Sequence, residues 1–263
     1  MENPKAILLC LHGWGGSKES FTELREALKD APVEILTPDL PGFGDEPDPP
    51  KPWSTDDYAD WVLDWISTKV PASAEATVGK EVRSTKFYLL GHSHGGRIAL
   101  KLVADRKLKP DHLFLCAAAG IRHPRHFKRI LGLILAKSGK AFLSIPGMKA
   151  LQPLGKKFLY RLVRVHDYEQ ASPVMQQTMI KVSAEDLRPI LFKINVPTDI
   201  FWGEDDSMTP ISDGEFMHRK ISSSRLHRFP GVRHRVHRDR AREIAGVILR
   251  IMHPSSSTQD QLY

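Results

Sequence analysis

The sequence predicts an α/β fold with a doubly wound, mostly parallel sheet and a helical segment inserted between two of its strands. Three observations carry this expectation. Runs of four to six apolar or β-branched residues alternate with amphipathic stretches along both ends of the chain, which is the pattern of β-α units. Between residues 121 and 195 the strand-like runs stop and helical spacing takes over. The composition, 41% hydrophobic and 26% charged over 263 residues, is that of a globular chain with a proper core and excludes disordered, collagenous and coiled-coil classes.

In chain order, strands are predicted over 6–11 (AILLCL), 33–37 (VEILT), 86–90 (KFYLL), 112–117 (HLFLCA), 198–203 (TDIFWG) and 225–229 (RLHRF). Helices are predicted between them over about 19–30, 55–69, 95–105, 211–221 and 237–252. Inside 121–195, Phe127, Ile130, Leu131, Ile134 and Leu135 recur at helical spacing, with Arg125, Lys128 and Arg129 mostly opposite. A second helix is expected to start at Ser172-Pro173, an N-cap followed by proline at the first helical position, with Met175, Met179 and Val182 on one face. A third start is expected at Ser183, three residues before Asp186. The stretch 71–85 reads as loop and 254–263 as a frayed tail. The expected organisation is therefore a core made of 1–120 and 196–263, interrupted by a helical lid at 121–195.

Charge is unevenly placed. Residues 121–195 hold 14 Lys/Arg and 4 Asp/Glu, a net of +10 in a chain whose total is +7. The basic run Arg233 to Arg242 lacks interleaved aromatics and falls on a scaffold helix, so it reads as a solvated, salt-bridged face and not as a nucleic-acid patch. Cys10 and Cys116 each sit within an apolar run and form no C-x-x-C pair, which argues against a disulfide framework or zinc site. The early apolar run, Ala6 to Leu11, is too short for a signal segment or a membrane span, so a cytoplasmic location is expected.

The chemistry-bearing residues cluster after predicted strands. Gly91-His92-Ser93-His94-Gly95 matches G-x-S-x-G, preceded by a strand and followed by a helix, the setting of a nucleophile elbow. His12-Gly13-Trp14-Gly15-Gly16 follows the first strand, and such a turn can offer a backbone N–H to a developing oxyanion. Asp205 and Asp206 follow the strand ending at Gly203, and His234 follows the last strand. A serine, a carboxylate and a histidine thus follow the carboxyl ends of strands, in that order, and these are the residue types nucleophilic acyl transfer uses. Nucleotide-binding glycine loops and H-E-x-x-H are absent, so no cofactor is implied.

On LHGWGG, PDLPGFG, GHSHGG, WGEDDSMTP and PGVRH, the chain resembles the α/β-hydrolase superfamily, among members with a helical lid. The usual two-strand hairpin ahead of the first predicted strand is missing, which leaves 33–37 as an expected sheet edge. The resemblance implies Ser93 as nucleophile, His234 as base, and Asp206 as the carboxylate that orients the base. It also implies the backbone amides of Trp14 and His94 as the oxyanion hole. The family spacing G-x-x-D, counted from Gly203, favours Asp206 over Asp205; His237 is the rival to His234. H-x-H around Ser93 reads as structural and not metallic, and Met175, Met179, Phe127 and Leu131 read as core or acyl-pocket wall. The expected function is hydrolysis of small or medium carboxylic esters or thioesters through an acyl-enzyme, with anionic substrates or an acidic carrier protein favoured by the basic lid. The alternatives are a carbon–carbon bond hydrolase of dienoic diketones, against which Arg235 after His234 counts, and a non-catalytic binding protein on the same fold.

Overall fold

The computed structural model describes residues 6–69, 85–123 and 171–253. Six strands form one parallel sheet: β1 (Ala6–Leu11), β2 (Val33–Leu36), β3 (Lys86–His92), β4 (His112–Cys116), β5 (Thr198–Gly203) and β6 (Ser224–Phe229), in the order β2-β1-β3-β4-β5-β6. The reversal of direction falls between β1 and β3, which run in register from Ala6 opposite Lys86 to Leu11 opposite Gly91. Every residue of β1, β4 and β5 is buried, as expected of parallel strands covered on both faces by crossover helices. Among the described residues β2 stands at one edge, where the sequence places it, and its side chains are only partly covered.

The helices are α1 (Thr22–Ala27), α2 (Thr55–Lys69), α3 (His94–Ala104), α4 (Pro173–Ala184), α5 (Ile211–Lys220), α6 (Val236–Asp239) and α7 (Ala241–Met252), the last two following β6. Helix α3 leaves the centre of the sheet and is buried from His94 to Leu100, so the elbow is anchored in the core on both sides.

Three predicted helices take a different form. The 19–30 segment splits into a 3-10 turn (Lys18–Phe21), capped by the Ser17 hydroxyl, and the short α1, which ends where Leu28 leaves the helical region (φ −109°, ψ 8°). The 237–252 segment breaks at Arg240, whose backbone (φ −128°, ψ 32°) leaves the helical region between α6 and α7. Ser183 starts no helix. It lies in the last turn of α4, and the chain then extends at Glu185 and forms a 3-10 turn over Arg188–Lys193. Two bonds hold Glu185 out of the helix: its carbonyl accepts from Arg97 Nη1 (3.1 Å) and its carboxylate from the Thr55 amide (2.9 Å).

Within 121–195 the described residues match the Ser172-Pro173 start, with the Ser172 hydroxyl accepting from the Met175 amide at 3.2 Å. The buried residues of α4 are Met175, Gln176, Thr178 and Val182, with Met179 only half-covered. The Thr178 hydroxyl accepts from the Trp53 amide (3.0 Å), so α4 is fixed onto the loop before α2. The predicted helix at 127–135, most of the loop at 71–85 and the tail at 254–263 lie outside the described residues. Among the described residues no helix is long and apolar enough to cross a membrane.

Candidate active site

The sheet brings four loops together at the carboxyl ends of β1, β3, β5 and β6. Ser93 sits between β3 and α3 at φ 50°, ψ −110°, a conformation unfavourable for a residue with a side chain. The neighbouring glycines make that turn possible. A Cβ on Gly95 would stand 2.0 Å from the Leu11 carbonyl oxygen, and one on Gly91 2.6 Å from the Gly95 oxygen. The backbone of the turn is pinned as well: the Ser93 amide donates to the Cys116 carbonyl (3.1 Å), and the Ser93 carbonyl accepts from Ala119 (2.9 Å) and Arg97 (3.0 Å). Strain at one residue is thus held by its surroundings, leaving the hydroxyl presented outward.

His234, on the loop after β6, has Nε2 2.9 Å from Ser93 Oγ and Nδ1 2.7 Å from Asp206 Oδ2. Asp206 is buried and takes further bonds from the amides of Met208 (2.8 Å) and Thr209 (3.1 Å) to Oδ1 and from the Thr209 hydroxyl (2.8 Å) to Oδ2. Burial alone would raise its pKa, but the bonds from His234, Thr209 and Met208 outweigh it and hold the carboxyl below its ordinary value. The acid and histidine loops are laced together, with the Asp205 amide on the Val232 carbonyl (3.0 Å) and the Glu204 amide on the Phe229 carbonyl (3.1 Å). Trp202 Nε1 holds the Thr209 carbonyl from beneath (2.8 Å).

The two rival residues lie elsewhere. Asp205 is exposed, whereas Asp206 meets the imidazole. His237 is buried against His92, ring centroids 3.7 Å apart and planes tilted by 31°; burial, with His234 and Arg238 nearby, lowers its pKa to about 3. It is therefore neutral and removed from Ser93.

The amides proposed for an oxyanion also fall near Ser93. His94 is the first residue of α3, and the leading amides of a helix have no intrahelical acceptor. Trp14 belongs to the turn closed by the Gly16 amide on the Gly13 carbonyl (3.0 Å), and a Cβ on Gly13 would lie 3.2 Å from Ser93 Cβ. His12 secures this turn, its imidazole bonded to the Gly13 carbonyl (2.8 Å) and accepting from the Leu40 amide (2.9 Å).

Aromatic side chains fill the region beside the serine. Trp14 meets Phe43 edge-on at 4.9 Å and His94 at 5.5 Å; Tyr58 packs on His94 (4.8 Å) and Trp53 on Tyr58 (5.0 Å). Met175 of α4 closes on Gly42 so tightly that a Cβ there would stand 2.3 Å from its sulfur. Cys10 and Cys116 are buried free thiols, and burial raises the pKa of both. Among the described residues no group of three or more His, Cys, Asp or Glu is arranged to hold a metal ion. A groove of about 670 Å³ between α1 and residues 238–243 is lined in part by the basic run and by none of Ser93, Asp206, His234, Trp14 and His94.

The basic run 233–242 is salt-bridged in part, with Arg238 donating twice to Glu23 (2.9 and 2.7 Å) and Arg240 to Glu243 (3.0 Å). Sequence reasoning missed Thr209, which bonds Asp206 and lies 3.2 Å from His234 Nδ1, and it missed the contact from His92 Nε2 to the His234 carbonyl (3.0 Å). Its position in D-D-S-M-T-P was the available signal for Thr209. For His92 none existed, because its partner is backbone.

Comparison with known proteins places the chain in a family. The chain is 28% identical over 229 residues to a pimeloyl-[acyl-carrier protein] methyl ester esterase of Neisseria meningitidis serogroup A, covering 82% of this chain and 67% of that protein. It is 25% identical over 216 residues to Lipase 3 of a Moraxella species, covering 76% of this chain and 62% of that one. Among solved structures, an esterase from Exiguobacterium antarcticum superposes with a TM-score of 0.69 at 23% identity, covering 94% of this chain and 91% of the other. The family model for the alpha/beta hydrolase family matches residues 8–247, and the chain belongs to that family.

Proposed function

We propose that this chain, a hydrolase acting on ester bonds, cleaves small or medium carboxylic esters or thioesters through an acyl-enzyme on Ser93. The observation that carries the reading is the continuous relay from Ser93 Oγ to His234 Nε2 (2.9 Å) and from His234 Nδ1 to Asp206 (2.7 Å), at the carboxyl edge of a parallel sheet. Relatives named as esterase and lipase support it.

In this reading His234 Nε2 takes the Ser93 proton as Oγ attacks the carbonyl carbon. The oxygen that becomes negative is met by the amides of Trp14 and His94. His234 then gives its proton to the departing alkoxide or thiolate, leaving Ser93 acylated. Water attacks the acyl carbon with His234 again as base, and the proton returns to Ser93 Oγ as the acid leaves. Asp206 holds the imidazole with Nδ1 protonated and stabilises its positive charge while the proton is in transit.

We further take 121–195 as a lid over this site and its substrate, or the carrier that delivers it, as anionic. The net +10 of that segment supports the charge preference. Arg233 and Arg235, on either side of His234, are exposed and make no ion pair with another described residue. One relative's name includes an acyl-carrier protein as the bearer of the ester. A cytoplasmic location fits such substrates.

The test is turnover of a neutral ester and a carboxylate-bearing analogue of equal length by wild type and Ser93→Ala, from low to high salt. Wild type should hydrolyse both and Ser93→Ala neither. The anionic ester should lose its advantage in kcat/KM as screening shortens to roughly 3 Å at 1 M salt. Equal, salt-independent values would reduce the lid charge to a solvated surface, and activity surviving in Ser93→Ala would remove the nucleophile assignment.

A further inference from the structure

Behind Ser93 lies a cluster of imidazoles that the relay does not use. His92, the last residue of β3 and covalently next to the serine, is buried. Its ring centroid is 3.7 Å from that of His237 and 5.0 Å from that of His234. Phe21 closes the far side by meeting His237 edge-on at 5.5 Å. On the near side there is no room for even a methyl group on Gly13, whose Cβ would stand 2.8 Å from His92 Nδ1. The His92 ring is thus walled in by Gly13, His234 and His237, and one polar contact fixes its orientation: Nε2 donates to the backbone carbonyl of His234 at 3.0 Å.

We propose that His92 is a positioning residue for the base, its imidazole N–H holding the His234 backbone at the height that keeps Nε2 over Ser93 Oγ. The inference rests on the serine hydrolase reading above. It ties two loops 142 residues apart through a side chain adjacent to the nucleophile, so any shift of the elbow carries the histidine loop with it. The bond specifies the tautomer of His92, with Nε2 protonated and Nδ1 bare.

The electrostatics are consistent with that role. Burial, with His237 and His234 as neighbours, holds the His92 pKa well below its ordinary value, and His237 is lowered as well. Both rings stay neutral. A second positive imidazole here would oppose the charge that His234 acquires when it takes the serine proton, because like charges at this range disfavour one another.

A merely packed histidine and a positioning one predict different kinetics. If His92 only fills space, removing its N–H changes the melting temperature and leaves the parameters of the folded enzyme alone. If it sets the base, kcat falls while KM holds, and a side chain that restores an N–H at the same place restores the rate.

We would measure kcat, KM and Tm with a short-chain p-nitrophenyl ester for wild type, His92→Phe, His92→Gln and Ser93→Ala. His92→Phe keeps an aromatic ring against His237 but has no donor. Its kcat should fall about 10- to 100-fold with KM within about threefold, the scale expected when a reacting group is displaced by roughly an ångström. His92→Gln, whose amide reaches the same carbonyl, should come within about fivefold of wild type. Should His92→Phe not fold, His92→Met is the donor-free variant and carries the same expectation. A donor-free variant with wild-type kcat, while Ser93→Ala is inactive, overturns the role of His92 and leaves the hydrolase reading standing. Equal loss in the donor-free and Gln variants overturns it too, since the bond would then not be what matters. A folded wild type that neither turns over esters nor reacts with a fluorophosphonate overturns the hydrolase reading and this inference together.

Discussion

Asp206→Asn separates orientation from charge at the base, and the bonds around Asp206 determine which way the new amide faces. Two backbone amides, Met208 at 2.8 Å and Thr209 at 3.1 Å, donate to Oδ1, so the oxygen of an asparagine takes that side. Its NH₂ then replaces Oδ2, 2.7 Å from His234 Nδ1. A donor at that distance requires Nδ1 to be unprotonated, which moves the imidazole proton to Nε2, opposite the Ser93 hydroxyl. The base can no longer accept the serine proton. The variant should fold, because three of the four surrounding donors are neutral to the change or still satisfied, but kcat should fall by about 10³- to 10⁴-fold. The upper end of that range is about the loss the corresponding substitution causes in a serine protease, and the range corresponds to about 4–5.5 kcal/mol of lost transition-state stabilisation. The assay is steady-state ester hydrolysis with a thermal melt alongside. Asp205→Asn, at an exposed side chain, is the internal control and should stay near wild type. A loss in Asp205→Asn exceeding that in Asp206→Asn would refute the assignment of the acid.

Two other predictions address the oxyanion site and the far end of the sheet. His94→Met should keep activity within about threefold, because only the backbone N–H is used and the buried Nε2 of His94 has no partner to lose; His94→Pro deletes that donor at a helix position proline tolerates, and should be inactive though folded by circular dichroism. Equal inactivity of both would mean the imidazole itself takes part. Asp199, buried in β5, accepts from His112 Nε2 (2.8 Å) and from His227 Nε2, and although burial raises its pKa these bonds carry it well below the ordinary value. A depressed carboxylate pKa adds stability that is present above the unfolded value near ~3.9 and is lost as pH falls below it. Asp199→Asn should therefore lower Tm by about 5 °C at neutral pH, from roughly 2 kcal/mol of lost charge-assisted bonding, and the gap from wild type should narrow below about pH 4. A gap that stays constant with pH would show that the carboxylate charge is not what stabilises the strand trio.

The four inner strands were legible as short, mostly apolar runs that are buried, and the edge strands β2 and β6 as stretches that mix apolar with polar residues; all six fall within a residue or two of their predicted ends. The serine elbow was legible for a similar reason. Its glycines answer to close approaches, such as Gly95 on Leu11, that any chain with this turn must make. The extension at Glu185 was not, since it depends on the tertiary partners Arg97 and Thr55, which spacing does not reveal, and nothing in the spacing marked the break at Arg240. The same holds for polar contacts that only the assembled sheet brings together. Asp199 meets His112 and His227, and His92 meets the His234 carbonyl, across 28 to 142 residues, and each looks in the sequence like an isolated polar residue at the end of or within a strand.

The central claim is that Ser93 becomes acylated by an ester, and it is tested most directly by trapping that adduct. Wild type and Ser93→Ala would be mixed with a p-nitrophenyl ester, quenched in acid within the first turnover, and analysed by intact mass and peptide mapping. The account predicts a mass increase equal to the acyl group, located on the peptide holding Ser93 and absent from Ser93→Ala. Turnover by wild type with no adduct on Ser93, or the same adduct and rate in Ser93→Ala, would contradict it.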